Sequence, residues 1–326
     1  MRVKTNMGTF ISRAMNPEPS YLGLYSEGLL KERIQKACAV LESCRLCPRN
    51  CGVNRLDGEL GFCETGRKAG VASYNAHFGE ESPLVGRSGS GTIFLSSCNL
   101  LCSFCQNFEI SHGKEGAEVG PEQMALMMVQ LSEAGCHNIN FVTPSHVVPQ
   151  ILEALPSAIE RGLRVPLVYN SGGYDSRETL ELLDGIFDIY MPDFKFWDSR
   201  WAERYCRAPD YREAASAALR EMHRQVGDLA MDERGIAYRG LLVRHLVMPN
   251  RVAGTEEIME FLAREISPDT YVNVMDQYRP CGSACGDEFI NRRLHSKEYR
   301  DAVNAAKKAG IERLDERDRI RLIFMR

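Results

Sequence analysis

Apolar side chains between residues 27 and 42 recur at helical spacing. Leu30, Ile34, Ala37, Cys38 and Leu41 share one face, which predicts an amphipathic helix with Cys38 packed as a small hydrophobe. Residues 68–90 are rich in Gly and Ser with few long apolar runs, predicting short strands and loops. From residue 91 the texture changes. TIFLSS (92–97) is a short apolar run, a buried strand ending directly on Cys98. Gly120-Pro121 opens a helix that Gly135 closes, with Pro at the first helical position and Gly just past the end. Strands follow at 138–143, 166–170, 187–194, 241–249 and 270–276. The intervening helices fall at 147–161, with Pro156 kinking or splitting it, at 177–183 capped by Ser176, at 211–226 between Asp210 and Gly227, and at 256–265 opened by Thr255. A hairpin around Gly235 fills 229–240, and a last helix runs from a Ser296 cap to Gly310.

Six strands alternating with helices imply parallel βα units in a wound sheet or a partial barrel. No internal repeat interrupts the series. Three segments follow: a helix and cysteine-rich module over 1–85, a core over 86–310 and a C-terminal extension over 311–326, in which nothing identifies a docking partner. The 326 residues suffice for one large core with a small appendage. Forty basic and 44 acidic residues leave a net charge of −4, so no basic field points to nucleic acid or anionic lipid. No apolar run reaches membrane-spanning length, and the basic start MRVKTNMGTF lacks a long apolar stretch and a small-residue cleavage site. A cytoplasmic location is the expectation.

Twelve cysteines change the picture. Without an export signal they are not read as a disulfide framework, and seven fall in two tight clusters, so metal or iron–sulfur ligation is expected. Cys98-x3-Cys102-x2-Cys105 offers three thiolates on one short loop at the end of the first strand of the series, where barrel-like folds place active sites. Three thiolates bind three irons of a [4Fe–4S] cluster and leave the fourth open. An open iron chelates the amino and carboxylate groups of a methionine moiety, and one electron from the cluster then breaks the sulfonium C–S bond of S-adenosylmethionine to give a 5′-deoxyadenosyl radical. A zinc site is the alternative, but only His112 lies nearby as a fourth ligand.

GTIFLSSCNLLCSFCQNFEIS resembles the pyruvate formate-lyase activating enzyme-like family of the radical S-adenosylmethionine superfamily, and the resemblance runs from about Cys44 to about residue 310. It implies an α/β fold, a partial (β/α)6 radical-SAM barrel with a small Cys-rich N-terminal module. It also implies hydrogen abstraction from a protein or peptide such as a glycyl radical enzyme, and a reducing partner such as flavodoxin or ferredoxin. Radical modification of a small molecule or another macromolecule is the alternative. A non-catalytic metal-binding partner protein is the reading from another class.

By the same resemblance Phe104 lies beside the adenine. FVTPSH stands where the superfamily has a Gly-Gly-Glu stretch that meets the methionine amino group, with Thr143 and Ser145 in its place. YNSGGY puts Asn170 and Ser171 near the cofactor, with Asn170 replacing one Asp of a monovalent-cation site; MPDFK adds Asp193 and Lys195, and VRHLVMPN adds Arg244. In MDQYRP, Gln277 or Tyr278 stands in for an adenine-side His. Read without the resemblance, Asp193 is a cap, Lys195 and Arg244 are solvated charges, and Thr143, Ser145, Asn170 and Ser171 are turn residues. His137, His146 and His245 lack metal spacing and read as structural.

Two further groups remain. Cys44-x2-Cys47-x3-Cys51-x11-Cys63 suits a four-thiolate zinc site that staples a module with little core, or a second iron–sulfur cluster. Cys281-x3-Cys285 follows the last strand, where it either approaches the active site or is a pair of loop thiols.

Overall fold

The computed structural model describes residues 17–315. The basic start and residues 316–326 of the expected C-terminal extension therefore lie outside the described residues. Nine strands form the sheet: β1 (Ala69–His77), β2 (Ser90–Leu95), β3 (Ala117–Val119), β4 (Ile139–Val142), β5 (Leu167–Ser171), β6 (Ile189–Pro192), β7 (Ala230–Met231), β8 (Ala237–Leu246) and β9 (Tyr271–Met275). Six of them, β2, β4, β5, β6, β8 and β9, run parallel and pair in chain order. Antiparallel β1 and β3 extend one edge, and β7 pairs with β8 as the arm of the expected hairpin.

The helices are α1 (Tyr21–Ser26), α2 (Leu29–Ala39), α3 (Ser82–Val85), α4 (Phe108–Ser111), α5 (Pro121–Glu133), α6 (Val148–Glu160), α7 (Arg177–Leu182), α8 (Ser199–Cys206), α9 (Tyr211–Val226), α10 (Thr255–Phe261) and α11 (Ser296–Ala309). Among the described residues no helix is long and apolar enough to cross a membrane.

Strand alternation sorts the sheet into two faces. Ile93, Ile139, Phe141, Leu167, Tyr169, Tyr190, Leu241, Val243, Val272 and Val274 join the large core shared with the helices. Their neighbours Val168, Ile189, Met191, Leu242 and Tyr271 point the other way and pack with Leu84 of α3 in a second core. The segment leading into β2 also touches the far edge. Glu81 accepts a 2.9 Å hydrogen bond from Asn273 of β9, while Leu84 O accepts one of 2.9 Å from Asn138, beside β4. The sheet therefore curls around this second face, with α3 closing one end.

Local signals placed most boundaries. Ser176 Oγ accepts from Thr179 N–H at 3.3 Å, and Gly227 and Gly310 end their helices at positive φ. Several details differ from expectation, the following four among them. β2 stops at Leu95 rather than on Cys98, because Ser97 turns to φ 71° and Ser96 N–H bonds Gly70 O at 2.9 Å. α6 is one helix through Pro156: the ring forfeits one backbone bond, and nine buried residues outweigh that loss. The cap of α11 is His295, one residue earlier than Ser296, with its N–H on Glu298 at 2.9 Å. α8 had no predicted counterpart, being short and recognisable only by its Asp198 cap.

Candidate active site and cysteine module

The loop after β2 carries Cys98, Cys102 and Cys105 in a conformation that needs support. Ser97 (φ 71°) and Leu101 (φ 50°) are non-glycine residues in the left-handed region, a cost of about 1 kcal/mol or more each. Neighbouring elements hold the loop. Ser97 N–H bonds Ile110 O (3.0 Å), Ser103 N–H bonds Tyr205 O (2.8 Å), and Asn99 Nδ2 bonds Tyr174 O (2.7 Å). All three sulfurs already accept hydrogen bonds, Cys98 from Leu100 N–H at 3.3 Å, Cys105 from Ser111 Oγ at 3.2 Å and Cys102 from Cys206 Sγ at 3.3 Å. Burial pushes the Cys98 thiol up to about 12 and raises that of Cys105. Cys102 is raised first by Cys206, whose Sγ lies 3.3 Å away, and then by burial. A metal that displaces these protons removes the penalty, so binding is coupled to proton release. Among the described residues no three His, Cys, Asp or Glu side chains are yet drawn together closely enough to hold a metal ion.

A charged network lies at the C-terminal ends of β5, β6 and β8. Arg244 donates through Nε to Asp193 Oδ1 (2.8 Å) and through Nη2 to Asn170 Oδ1 (2.7 Å), and Lys195 Nζ donates to Asp193 Oδ2. Burial alone would push the Asp193 carboxyl up, but Arg244 and Lys195 together hold it below the ordinary value. Against the opposing pull of burial, Asp193 and Cys102 raise Lys195, which places this cation within electrostatic reach of the cysteine loop. Tyr211 OH braces the strand end, within 2.9 Å of Gly172 O and 3.0 Å of Asp193 O while accepting from Lys195 N–H. Gly173 is obligatory there: its φ is 76°, and a Cβ would come within 2.1 Å of Asp193 O.

The structure thus brings Asn170, Asp193, Lys195 and Arg244 together, but not Ser171. Ser171 Oγ bonds Asp175 Oδ2 at 2.6 Å, on the face that also carries Tyr169 OH (2.9 Å to Asp175 Oδ1). Consecutive strand residues point to opposite faces, so Asn170 and Ser171 cannot line one surface. Ser145 and Thr143 stay at the end of β4, and Thr143 holds φ 64°, an outlier for a β-branched residue. Phe104 is buried in an aromatic group, with ring centroids 5.8 Å from Phe196, 6.3 Å from Tyr205 and 6.2 Å from Tyr278. Tyr278, rather than Gln277, is therefore the residue of MDQYRP beside Phe104. The Cys281–Cys285 segment folds against the loop through Ala284 N–H to Ser103 O (3.3 Å), with Cys285 exposed.

The four cysteines of the N-terminal module line one small cavity together with Arg55 and His146. Phe62 N–H bonds Cys51 Sγ at 3.4 Å, and burial pushes the Cys47 thiol up to about 12. Arg49, between Cys47 and Cys51, reaches out of the module to the active-site loop. Its Nε bonds Asn99 O (2.9 Å), its Nη2 bonds Cys206 O (2.7 Å), its Nη1 bonds Arg207 O, and its guanidinium stacks 3.7 Å from the Phe62 ring centre.

No protein-family model matches the chain. Over 292 residues it is 31% identical to the uncharacterized protein MJ0674 of Methanocaldococcus jannaschii, covering 87% of this chain and 80% of that protein. The chain belongs to the family of that protein. Among solved structures it aligns with HydG, a maturase of the [FeFe]-hydrogenase, at a TM-score of 0.44 and 14% identity, over 67% of this chain. The chain spans 49% of HydG, about half its length.

Sequence reasoning missed several residues at the site. Glu80 and Glu81 are both buried, 3.8 and 4.0 Å from the Arg244 guanidinium. Burial and the adjacent Glu81 raise the Glu80 carboxyl. Glu81 Oε2 and both amide atoms of Asn140 have no protein hydrogen-bond partner, and Asn140 alternates with Ile139 and Phe141, so it faces the curled side. No local spacing marks these positions; Asn140 is a polar residue inside an otherwise apolar strand, and Glu80 and Glu81 lie in the loop between β1 and α3, where nothing in the pattern singles them out.

Proposed function

We propose that the chain is a radical S-adenosylmethionine enzyme. One observation carries the reading. Cys98, Cys102 and Cys105 share one braced loop at the C-terminal end of the first of six parallel strands, and Cys102 lies within electrostatic reach of the Lys195–Asp193–Arg244–Asn170 network. On this reading the curled sheet is the superfamily's partial (β/α)6 barrel, and residues 44–63 form a separate metal-holding module.

The donor set suits a [4Fe–4S] cluster: three soft thiolates on one short loop, with N–H and O–H donors already directed at two of them. When bound, the cluster supplies an electron that cleaves S-adenosylmethionine to a 5′-deoxyadenosyl radical for hydrogen abstraction. The chain's own residues bind and exclude water. Phe104 and Tyr278 offer an apolar wall for a flat ring. Arg244 and Lys195, fixed by Asp193, present cations to anionic groups. Glu81 Oε2 offers an ammonium the carboxylate that Thr143 and Ser145 lack.

Anaerobic reconstitution tests this. Reduced protein with S-adenosylmethionine is expected to release 5′-deoxyadenosine, and Cys98→Ala to release none. An intact cluster that yields no 5′-deoxyadenosine overturns the proposal. For the hydrogen donor, the resemblance favours a glycyl radical enzyme, with flavodoxin or ferredoxin as reductant. The unpartnered amide of Asn140 on the curled face favours a small polar substrate instead. A glycyl radical signal in electron paramagnetic resonance after co-incubation separates the two.

A further inference from the structure

We infer that His146 is a metal ligand, and that its Nδ1 completes, with three cysteines of the N-terminal module, a site for one zinc ion. The cavity lined by Cys44, Cys47, Cys51, Cys63 and His146 measures about 10 Å³. That is room for about one water-sized body, the scale of a single ion.

One imidazole nitrogen is left for a ligand, although the donors around the cavity must still close in on the ion. His146 Nε2 lies 2.9 Å from the carbonyl oxygen of Ser96. A carbonyl only accepts, so Nε2 carries the proton and donates, and Nδ1 keeps its lone pair. His146 is 1% exposed, its Nδ1 has no protein partner, and the residue borders the thiol-lined cavity. A histidine whose second ring nitrogen donates to a backbone carbonyl is the usual arrangement at metal sites, because that bond fixes the tautomer and raises ligand basicity.

The charges agree. Zinc with three thiolates and one imidazole carries one negative charge. Arg55, 1% exposed, supplies one positive charge, with Nη1 2.8 Å from His146 O and 3.9 Å from Cys44 Sγ. Zinc takes four ligands and this soft sulfur–nitrogen set suits it. Five donors surround the cavity, so one cysteine is left out. Zinc would then tie the module to the turn after β4 and, through Ser96, to the root of the active-site loop.

Zinc-edge X-ray absorption on the full-length protein, reconstituted anaerobically so that iron fills the Cys98 loop, reads this site alone. It does not depend on whether 5′-deoxyadenosine is formed. One zinc per chain with three sulfurs and one nitrogen is expected. Four sulfurs, or iron in place of zinc, overturns the inference. His146→Ala should weaken zinc binding by roughly 100-fold or more, while three of the four single Cys→Ser variants lose zinc and one retains it. Unchanged zinc affinity in a folded His146→Ala protein also overturns it.

Discussion

Arg49 is where the module meets the active-site loop, and Arg49→Ala isolates that joint. The side chain donates to Asn99 O and Cys206 O at 2.9 and 2.7 Å and to Arg207 O, and it stacks 3.7 Å from the Phe62 ring centre. Charge-assisted hydrogen bonds contribute about 1.5–3 kcal/mol when buried. Arg49 is half-exposed and water replaces part of each bond, so about 1 kcal/mol for each of the two partly buried bonds is a fair value. The stacking adds about 0.5–1 kcal/mol. The total, about 3 kcal/mol, lowers Tm by several degrees for a chain of this size. Because Asn99 lies between Cys98 and Leu100 and Cys206 touches Cys102, the loss falls on the loop. Iron retention on mild chelation should drop along with Tm. Calorimetry of the metal-free and reconstituted proteins, with iron analysis against time in chelator, measures both. Arg49→Lys should recover only part, since one ammonium cannot span three carbonyls. Unchanged Tm and iron retention in Arg49→Ala, or full rescue by Lys, would refute the coupling.

Other outcomes follow from the same geometry. Asp193→Asn leaves Arg244 and Lys195 buried without their shared carboxylate and should cost about 3–5 kcal/mol in urea denaturation. Because the folded Asp193 pKa is depressed, its contribution is present above the ordinary Asp value near 4 and lost as pH falls below it, so the wild-type and variant stabilities should converge there. His245, bonded at Nδ1 to Phe194 O (2.7 Å) and at Nε2 to Thr255 Oγ1 (2.8 Å), is pushed down to about 4 by burial. The unfolded chain therefore takes up its proton first, and His245 should contribute a decline of up to about 3 kcal/mol as pH falls from about 6.5 to about 4, so His245→Gln should make the slope shallower while buried His146 keeps its own share. Gly173→Ala forces a Cβ into Asp193 O and should lower Tm and 5′-deoxyadenosine yield together. Cys206→Ser should keep iron, because its sulfur neighbours Cys102 without belonging to the three-cysteine loop; loss of iron would make it a further ligand.

The sequence alone determined what depends on near neighbours. Period-two and period-3.6 patterns, Gly and Pro punctuation and the Ser176 cap set the alternation of strands and helices. The spacing of Cys98, Cys102 and Cys105 set the chemistry of one loop, since all three sit within eight consecutive residues. Motif position also pointed to Asp193, Lys195 and Arg244, which the strand ends bring together. It did not separate Ser171 from Asn170, which the strand turns to opposite faces, because adjacency in a motif is not adjacency on a face. Only the tertiary structure decided what joins distant parts of the chain. Glu81 meets Asn273 across 192 residues, Cys206 meets Cys102 across 104, and His146, which turns one nitrogen to Ser96, borders the cavity of the module cysteines. Neither of the first two pairs, nor the His146–Ser96 contact, has a local signature. They exist because the parallel strands curl and carry the ends of separate elements to one place, where burial fixes which polar atoms find partners and which are left for a ligand.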